Sequence, residues 1–330
     1  MAQTKSCKLA LKIALAAIMP VLAVVSPVFG QPSHAKVAIL TPGMTLAPVH
    51  EGLKEGLARL GYKEGQNTIF IVEDTKGSTA DLSHRTAKLL AAKPDVLFTV
   101  TTTHSIAAKQ ATATLPIVFA WVGNPAEAGL IAGYASSQNN LTGVSSLNAP
   151  LSSKRLDVLM EIAPKIKRIL TVLAIDESIA LSSFRYLEET AKKMRVQLVR
   201  RDIKNEEEIE RTLREIPKGG ADAIYYIPAV MMRNKIDLLI KKAKTEKIPL
   251  IVQDDSLVEQ GALISYGPKP RLIGLQSAPF VDKVLKGAKP SDIVVEIPNK
   301  LHLVVNLTTA KEIGLKIPRD ILERADRLVE

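Results

Sequence analysis

The 330-residue chain is short of several things, and each shortage removes a class of function. It has one cysteine, Cys7, close to the N-terminus, so the rest of the chain carries no disulfide framework and no thiol chemistry. Aromatic residues make up only 4%, with a single tryptophan, Trp121. No basic stripe is interleaved with aromatic side chains, which argues against a nucleic-acid partner. The apolar run at residues 13–25 is interrupted by Pro20 and falls short of the ~20 residues that a membrane-spanning helix needs. Gly-x-Ser-x-Gly, the phosphate-cradling Gly-x-x-x-x-Gly-Lys-Ser/Thr and His-Glu-x-x-His are all absent. The five histidines, His34, His50, His84, His104 and His302, have no metal-ligand spacing and read as surface or loop residues. No metal, no cofactor and no catalytic group is therefore expected.

What is present begins with a basic N-terminus. Lys5, Lys8 and Lys12 precede the apolar run without an acidic residue, and Val28-Phe29-Gly30 and Ser33-His34-Ala35 follow it as small-residue exits. This is the layout of a secretory signal over residues 1–30, with cleavage as late as 35. An uncleaved anchor helix is the alternative. Cys7 lies before the apolar run and would leave with the signal. The formal charge is +10, three units of which belong to those lysines. The remainder is spread over mixed faces such as Glu188-Glu189 with Lys192-Lys193, as on a solvated surface.

Beyond the signal, apolar runs alternate with segments of helical period. Strands are read at 36–40, 67–72, 95–100 and 117–121, and helices from residue 49, at 80–92 and at 105–111. The first helix carries Val49, Leu53, Leu57 and Leu60 on one face, with Gly61 where a C-cap is expected. Asn139-Asn140, Gly143 and Pro150 gather in a break over 136–152, after which the rhythm restarts. Strands follow at 168–174, 196–200, 223–227, 248–252, 263–266 and 301–307, with helices at 183–194, 206–216, 231–245 and 273–285. A last helical piece carries Ile321, Leu322 and Leu328. Strands alternating with helices make parallel sheets covered on both faces, and the restart makes two of them. The fold class is α/β, with two doubly wound parallel-sheet lobes.

In such sheets ligands sit beyond the carboxyl ends of the strands, and two sheets facing one another leave a cleft there. The strand ends supply the candidate ligand-binding residues. Thr41 and Met44 lie in the first such loop. Thr101 and Thr102, beside Thr103, could offer hydroxyls and backbone N–H groups to an anionic ligand group, or could simply cap the helix. Trp121 could be a flat stacking wall or a core residue at the sheet edge. Asp176, Pro228 with Ala229, and the pair Asp254 and Asp255 end three strands of the second half. The carboxylates could receive an ammonium or sugar hydroxyls, or cap the helix near Ser256. Tyr266 ends the strand at the later crossover, offering a ring and a hydroxyl.

These runs also carry a family likeness. Glu51-Gly52-Leu53-Lys54-Glu55-Gly56-Leu57 with Leu60-Gly61-Tyr62 is followed by Ala107-Ala108-Lys109-Gln110-Ala111-Thr112 and Pro116-Ile117-Val118-Phe119. Then come Asn140-Leu141-Thr142-Gly143-Val144-Ser145, Lys154-Arg155-Leu156 and Ser265-Tyr266-Gly267. The C-terminal run Leu285-Lys286-Gly287-Ala288-Lys289-Pro290, Val305-Asn306-Leu307, Ala310, Gly314-Leu315 and Arg324-Ala325-Asp326 is the most specific part. In order and spacing, almost the whole mature chain resembles the ABC-transporter substrate-binding proteins of the tryptophan-type group, with the type I periplasmic-binding fold.

The resemblance implies a three-segment hinge, with lobe 1 at 36–145 plus 264–292 and lobe 2 at 146–263 plus 293–330. It implies a monomeric, exported, extracytoplasmic binder that hands a small organic ligand to the membrane permease of an ABC importer. Amino acids, aromatic ones among them, are the ligand class it suggests; a sugar is the competing ligand. A ligand-sensing module for a membrane receptor and an unrecognised α/β hydrolase are the alternatives of function. The chain departs from the family at Asn124, where Asp is usual before Pro125, and at Thr101-Thr102-Thr103, where Gly-Thr-Pro is frequent.

Overall fold

A computed structural model of the chain describes residues 34–43 and 46–330. The signal-peptide expectation, Cys7 and Met44 lie outside the described residues. Five strands, β1 (Ala35–Thr41), β2 (Thr68–Asp74), β3 (Val96–Val100), β4 (Ile117–Val122) and β5 (Leu141–Ser145), form one sheet in the order β2-β1-β3-β4-β5. All four pairings are parallel. The period-2 alternation of each strand divides its side chains between two cores. Val37, Ile39, Val96, Phe98, Val118 and Ala120 join the core under helices α1 (Ala47–Arg59) and α10 (Pro270–Leu285). Ala38, Leu40, Leu97, Ile117 and Phe119 join the one under α2 (Leu82–Ala91) and α3 (Thr102–Ala111). With both faces covered, β3, β4 and β5 are wholly buried.

The second sheet has seven strands: β6 (Arg168–Ala174), β7 (Gln197–Ile203), β8 (Ala223–Tyr225), β9 (Leu250–Val252), β10 (Ile264–Gly267), β11 (His302–Asn306) and β12 (Arg327–Val329). Their order is β12-β11-β10-β9-β8-β6-β7. Every pairing is parallel except β10–β11, an antiparallel exception to the all-parallel expectation. Helices α4 (Leu151–Ile162), α5 (Ser178–Met194), α6 (Glu206–Glu215), α7 (Val230–Asn234), α8 (Ile236–Glu246), α9 (Asp255–Glu259), α11 (Leu307–Ile313) and α12 (Arg319–Arg324) accompany this sheet. The architecture is the type I periplasmic-binding fold.

The break read over 136–152 hides β5. Its Gly143 lies at φ 150°, where a Cβ would overlap the Phe119 carbonyl oxygen of β4, so the glycine is a demand of close strand pairing. The helix read over 231–245 is divided at Lys235 into α7 and α8. Leu328, read as helical, belongs to β12.

The chain passes between the sheets three times. The first passage follows β5. The second falls after Gly267, because β10 pairs with β9 and β11 in the seven-stranded sheet before α10 packs back on α1. In the third, Glu296 bridges to Val144 beside β5, with Glu296 N–H donating to Gly143 O at 3.0 Å and Ser145 N–H to Glu296 O at 2.9 Å. Arg155 of α4, 1% exposed, fastens the first two passages. Its Nη1 and Nη2 donate to the carbonyl and side-chain oxygens of Asn148 at 2.9 and 2.6 Å, and its Nε to the Tyr266 carbonyl at 2.7 Å.

Candidate functional site

The carboxyl ends of both sheets meet around a cavity of about 40 Å³. The first sheet contributes Thr101, Thr102 and Trp121; the second contributes Pro228 and Gln253, with Ile179 from the start of α5. Asn148 and Arg233 add polar groups to the wall. A wider hollow of about 370 Å³ shares Thr102 and Ile179 with this cavity and is flanked by Asn124, Glu127, Ser182 and Arg185. Across it Glu127 accepts from Ser182 Oγ at 2.6 Å and pairs with Arg185 at 2.5 Å. Another hollow, of about 590 Å³, lies where Asn234 Nδ2 donates to the Gly77 carbonyl at 2.9 Å.

Two strand ends of the first sheet carry left-handed backbone on non-glycine residues. Thr101 sits at φ 81°, ψ 161°, a region otherwise nearly reserved for glycine, and Trp121 at φ 59° is the extra residue of a bulge between Ala120 and Val122. Strain of this kind persists where surrounding bonds over-determine the conformation. Thr101 N–H donates to Ala120 O at 3.0 Å, its carbonyl accepts from Ser105 N–H at 3.1 Å, and its hydroxyl is 2.8 Å from His104 Nδ1. His104 Nε2 lies 3.1 Å from the Thr75 hydroxyl. Thr75 N–H in turn donates to Thr41 O at 2.9 Å. His104 is thus a buried brace between the ends of β2 and β3, not a surface residue, and burial lowers its pKa to about 4.

The structure brings Thr101, Thr102, Trp121 and Pro228 to the cavity wall. Thr102 Oγ1 accepts the Gly123 N–H at 3.2 Å, so the residue also pins the loop after β4. Thr41 is buried and its Oγ1 accepts from Gly43 N–H at 3.2 Å, a turn-forming contact away from the wall. Asp176 is exposed; the buried carboxylate at this turn is its neighbour Glu177, 6% exposed. Glu177 accepts from Val230 N–H at 2.9 Å and Met231 N–H at 3.3 Å, and also from Thr103 of the first lobe. Burial pushes its carboxyl up from the usual range.

Asp254 is buried, but its oxygens meet Arg233 Nη1 and Nη2 at 2.8 and 3.1 Å and Ser256 Oγ at 2.5 Å. An ion pair made within the protein replaces the expected free acceptor for an ammonium. Asp255 faces Lys269 and Arg327 at 3.8 and 3.9 Å, beside β12, and burial pushes its carboxyl up. Tyr266 packs its ring on the core of the second lobe, because its place in β10 sets it opposite Leu303. Neither residue lines the cavity.

Sequence reasoning missed Gln253, Arg233, Asn148 and Ile179. Gln253 was within reach of it, being the first residue beyond β9. Arg233 was not, since it reaches the site from the second turn's depth of a short helix. Among the described residues no group of His, Cys, Asp and Glu could hold a metal ion, and no helix is long and apolar enough to cross a membrane.

The family model "ABC transporter substrate binding protein" matches residues 36–329. A conserved domain protein from Vibrio cholerae is similar in structure, with TM-score 0.85 and 30% identity, covering 89% of this chain and 99% of that one. An ABC domain from Streptococcus pneumoniae, solved in complex with L-Trp, gives TM-score 0.84 at 23% identity over 90% of this chain and 100% of that one. A tyrosine-binding protein of Clostridioides difficile is 24% identical over 272 residues, 82% of this chain and 78% of its own length. Strand ends that converge on a cavity between two sheets are what a binder needs. The chain belongs to the ABC transporter substrate-binding protein family, whose members bind their substrates and are not enzymes.

Proposed function

We propose that this chain is the exported binding component of an ABC importer, and that it captures an amino-acid-like ligand between its lobes and presents it to a membrane permease. The observation that carries the reading is the cavity where Thr101, Thr102 and Trp121 of one sheet face Pro228 and Gln253 of the other. Arg233 on its wall is neutralised by the buried Asp254, and the other polar groups of the wall are uncharged. Such a wall suits a zwitterion, which brings no net charge into a desolvated site. Trp121 and Ile179 offer apolar surface to a side chain. Two relatives point the same way: one was solved with L-Trp and the other is a tyrosine-binding protein.

The three passages between the sheets act as a hinge, so that lobes closing on the ligand move as rigid bodies. The protein works as a monomer outside the cytoplasm, the N-terminal segment having directed its export. A thermal-shift screen of the mature chain against amino acids, sugars and small carboxylates tests the ligand. Binding at a hundredfold excess over Kd stabilises the fold by about 2.7 kcal/mol. Aromatic amino acids should raise Tm, and Trp121→Ala and Thr102→Ala should reduce the rise. Stabilisation by sugars alone would overturn the ligand class. Sedimentation of the mature chain as a dimer would overturn the monomer.

A further inference from the structure

Gln253 lines the central cavity at 4% exposure, and its Oε1 is buried without a hydrogen-bond partner. Native proteins seldom leave a buried polar atom unpaired, so one on a cavity wall points to a partner that the protein itself does not supply. The neighbouring acceptors are all engaged. Asp254 is held by Arg233 and Ser256, and Asn148 by Arg155 through both its carbonyl and its side-chain oxygen. Thr102 Oγ1 holds the Gly123 N–H, and the Thr101 hydroxyl is bonded to His104. The other unpaired buried hydroxyls among the described residues, those of Ser146, Thr171, Ser183 and Ser265, are not on the cavity wall.

We propose that the Gln253 side-chain oxygen is the specificity-determining acceptor for the ligand's α-amino group, so that the site recognises a free amino acid and rejects its des-amino counterpart. The inference rests on the amino-acid reading above and adds the atom that enforces it. A carboxamide oxygen suits the role better than a carboxylate in this place. It accepts a charge-assisted bond from an ammonium without adding a second negative charge beside Asp254. A site built around one hydrogen bond discriminates strongly against an analogue that lacks the donor, because the buried acceptor is then left unpaired.

The test is titration calorimetry of the mature chain with four probes: L-tryptophan, L-tyrosine, indole-3-propionate as the des-amino analogue, and L-tryptophanamide, which lacks the carboxylate. Wild type should bind an amino acid at least about a hundredfold more tightly than the des-amino analogue. Q253L should lose most of that ratio by weakening the amino acid alone, leaving the affinity for indole-3-propionate within a few-fold. Q253E, which keeps an acceptor oxygen at this position but adds a negative charge beside Asp254, should retain the preference for the amine over the des-amino analogue, and guards against misreading a folding defect in Q253L. Equal weakening of all probes in Q253L would reduce the residue to a structural role and overturn the proposal. So would an unchanged ratio, or a loss of discrimination seen only against L-tryptophanamide, which would place the ligand's carboxylate on the Gln253 side-chain N–H instead. Amino-acid binding that ignores Gln253 sinks this inference alone, whereas no amino-acid binding to wild type sinks the functional reading and this inference with it.

Discussion

Gly123, in the loop after β4, faces Ile179 at the start of α5 so closely that a Cβ on the glycine would overlap the isoleucine Cδ1. The two residues belong to different lobes, and the contact stands at the boundary between the cavity and the hollow beside it. A side chain at 123 must push Ile179 aside or hold the lobes apart. Gly123→Val is therefore expected to weaken ligand binding at least about tenfold, or ~1.4 kcal/mol, while each lobe keeps its fold. Small-angle scattering with saturating ligand should give a larger radius of gyration than wild type. Unchanged affinity and compaction would show that Ile179 simply turns away.

Thr101 offers a test of stored strain. At φ 81°, ψ 161° a side chain costs on the order of 1–3 kcal/mol, while its hydroxyl bond to His104 returns about 1 kcal/mol. Thr101→Ala loses the bond and keeps the strain; Thr101→Gly loses the bond and relieves it. Urea unfolding should therefore rank Thr101→Gly above Thr101→Ala in stability. The reverse order would mean that the backbone here is not strained.

Arg233 and Asp254 form an ion pair with both side chains buried. Removing one partner leaves a charge buried without its counterion, and Asp254→Leu is expected to cost about 3–5 kcal/mol. The double variant Arg233→Met/Asp254→Leu should recover part of that loss, since two apolar groups of similar size need no counterion. A double-mutant cycle with additive losses would contradict the coupling.

His104 sets a pH dependence. Its imidazole is held at about 4 in the native chain by burial, against 6.5 when unperturbed. Between these values the unfolded chain takes up a proton that the native chain refuses. Stability is whole above pH 6.5 and falls by on the order of 3 kcal/mol as pH drops towards 4. Glu177 acts in the opposite sense, because burial raises its pKa and protonation relieves the native state. His104→Gln should flatten the decline between pH 6.5 and 4.5 in urea unfolding. A slope equal to wild type would assign the decline to other groups.

Much of the fold could be read from local pattern. Val37–Leu40 and Ile117–Val122 are unbroken apolar runs, and Val96–Val100 is broken only by Thr99, as expected of strands covered on both faces. The helical period of Val49, Leu53 and Leu57 fixed α1 in the same way. Reading failed where one residue answers to a distant partner. Gly143 resembles a loop glycine until Phe119 is seen against it, and β10 resembles a first-lobe strand until β11 pairs antiparallel with it.

The candidate site divides along the same line. Thr101, Thr102, Trp121 and Pro228 could be named from the sequence, because position at the carboxyl end of a parallel strand is a local property. The state of each acceptor was not local. Asp254 and Asp255 looked like the open carboxylates, but Arg233 claims the first and the β12 side of the lobe the second, over spans of 21 and 72 residues or by contacts across the lobe. Gln253, beside them and unremarkable in sequence, is left with the unpaired oxygen. The sequence by itself determined the alternation of strands and helices, and hence two covered sheets with their ligand-facing ends. Only the tertiary structure decided which polar atoms there are satisfied, because a hydrogen-bond partner is set by where separate segments meet in space.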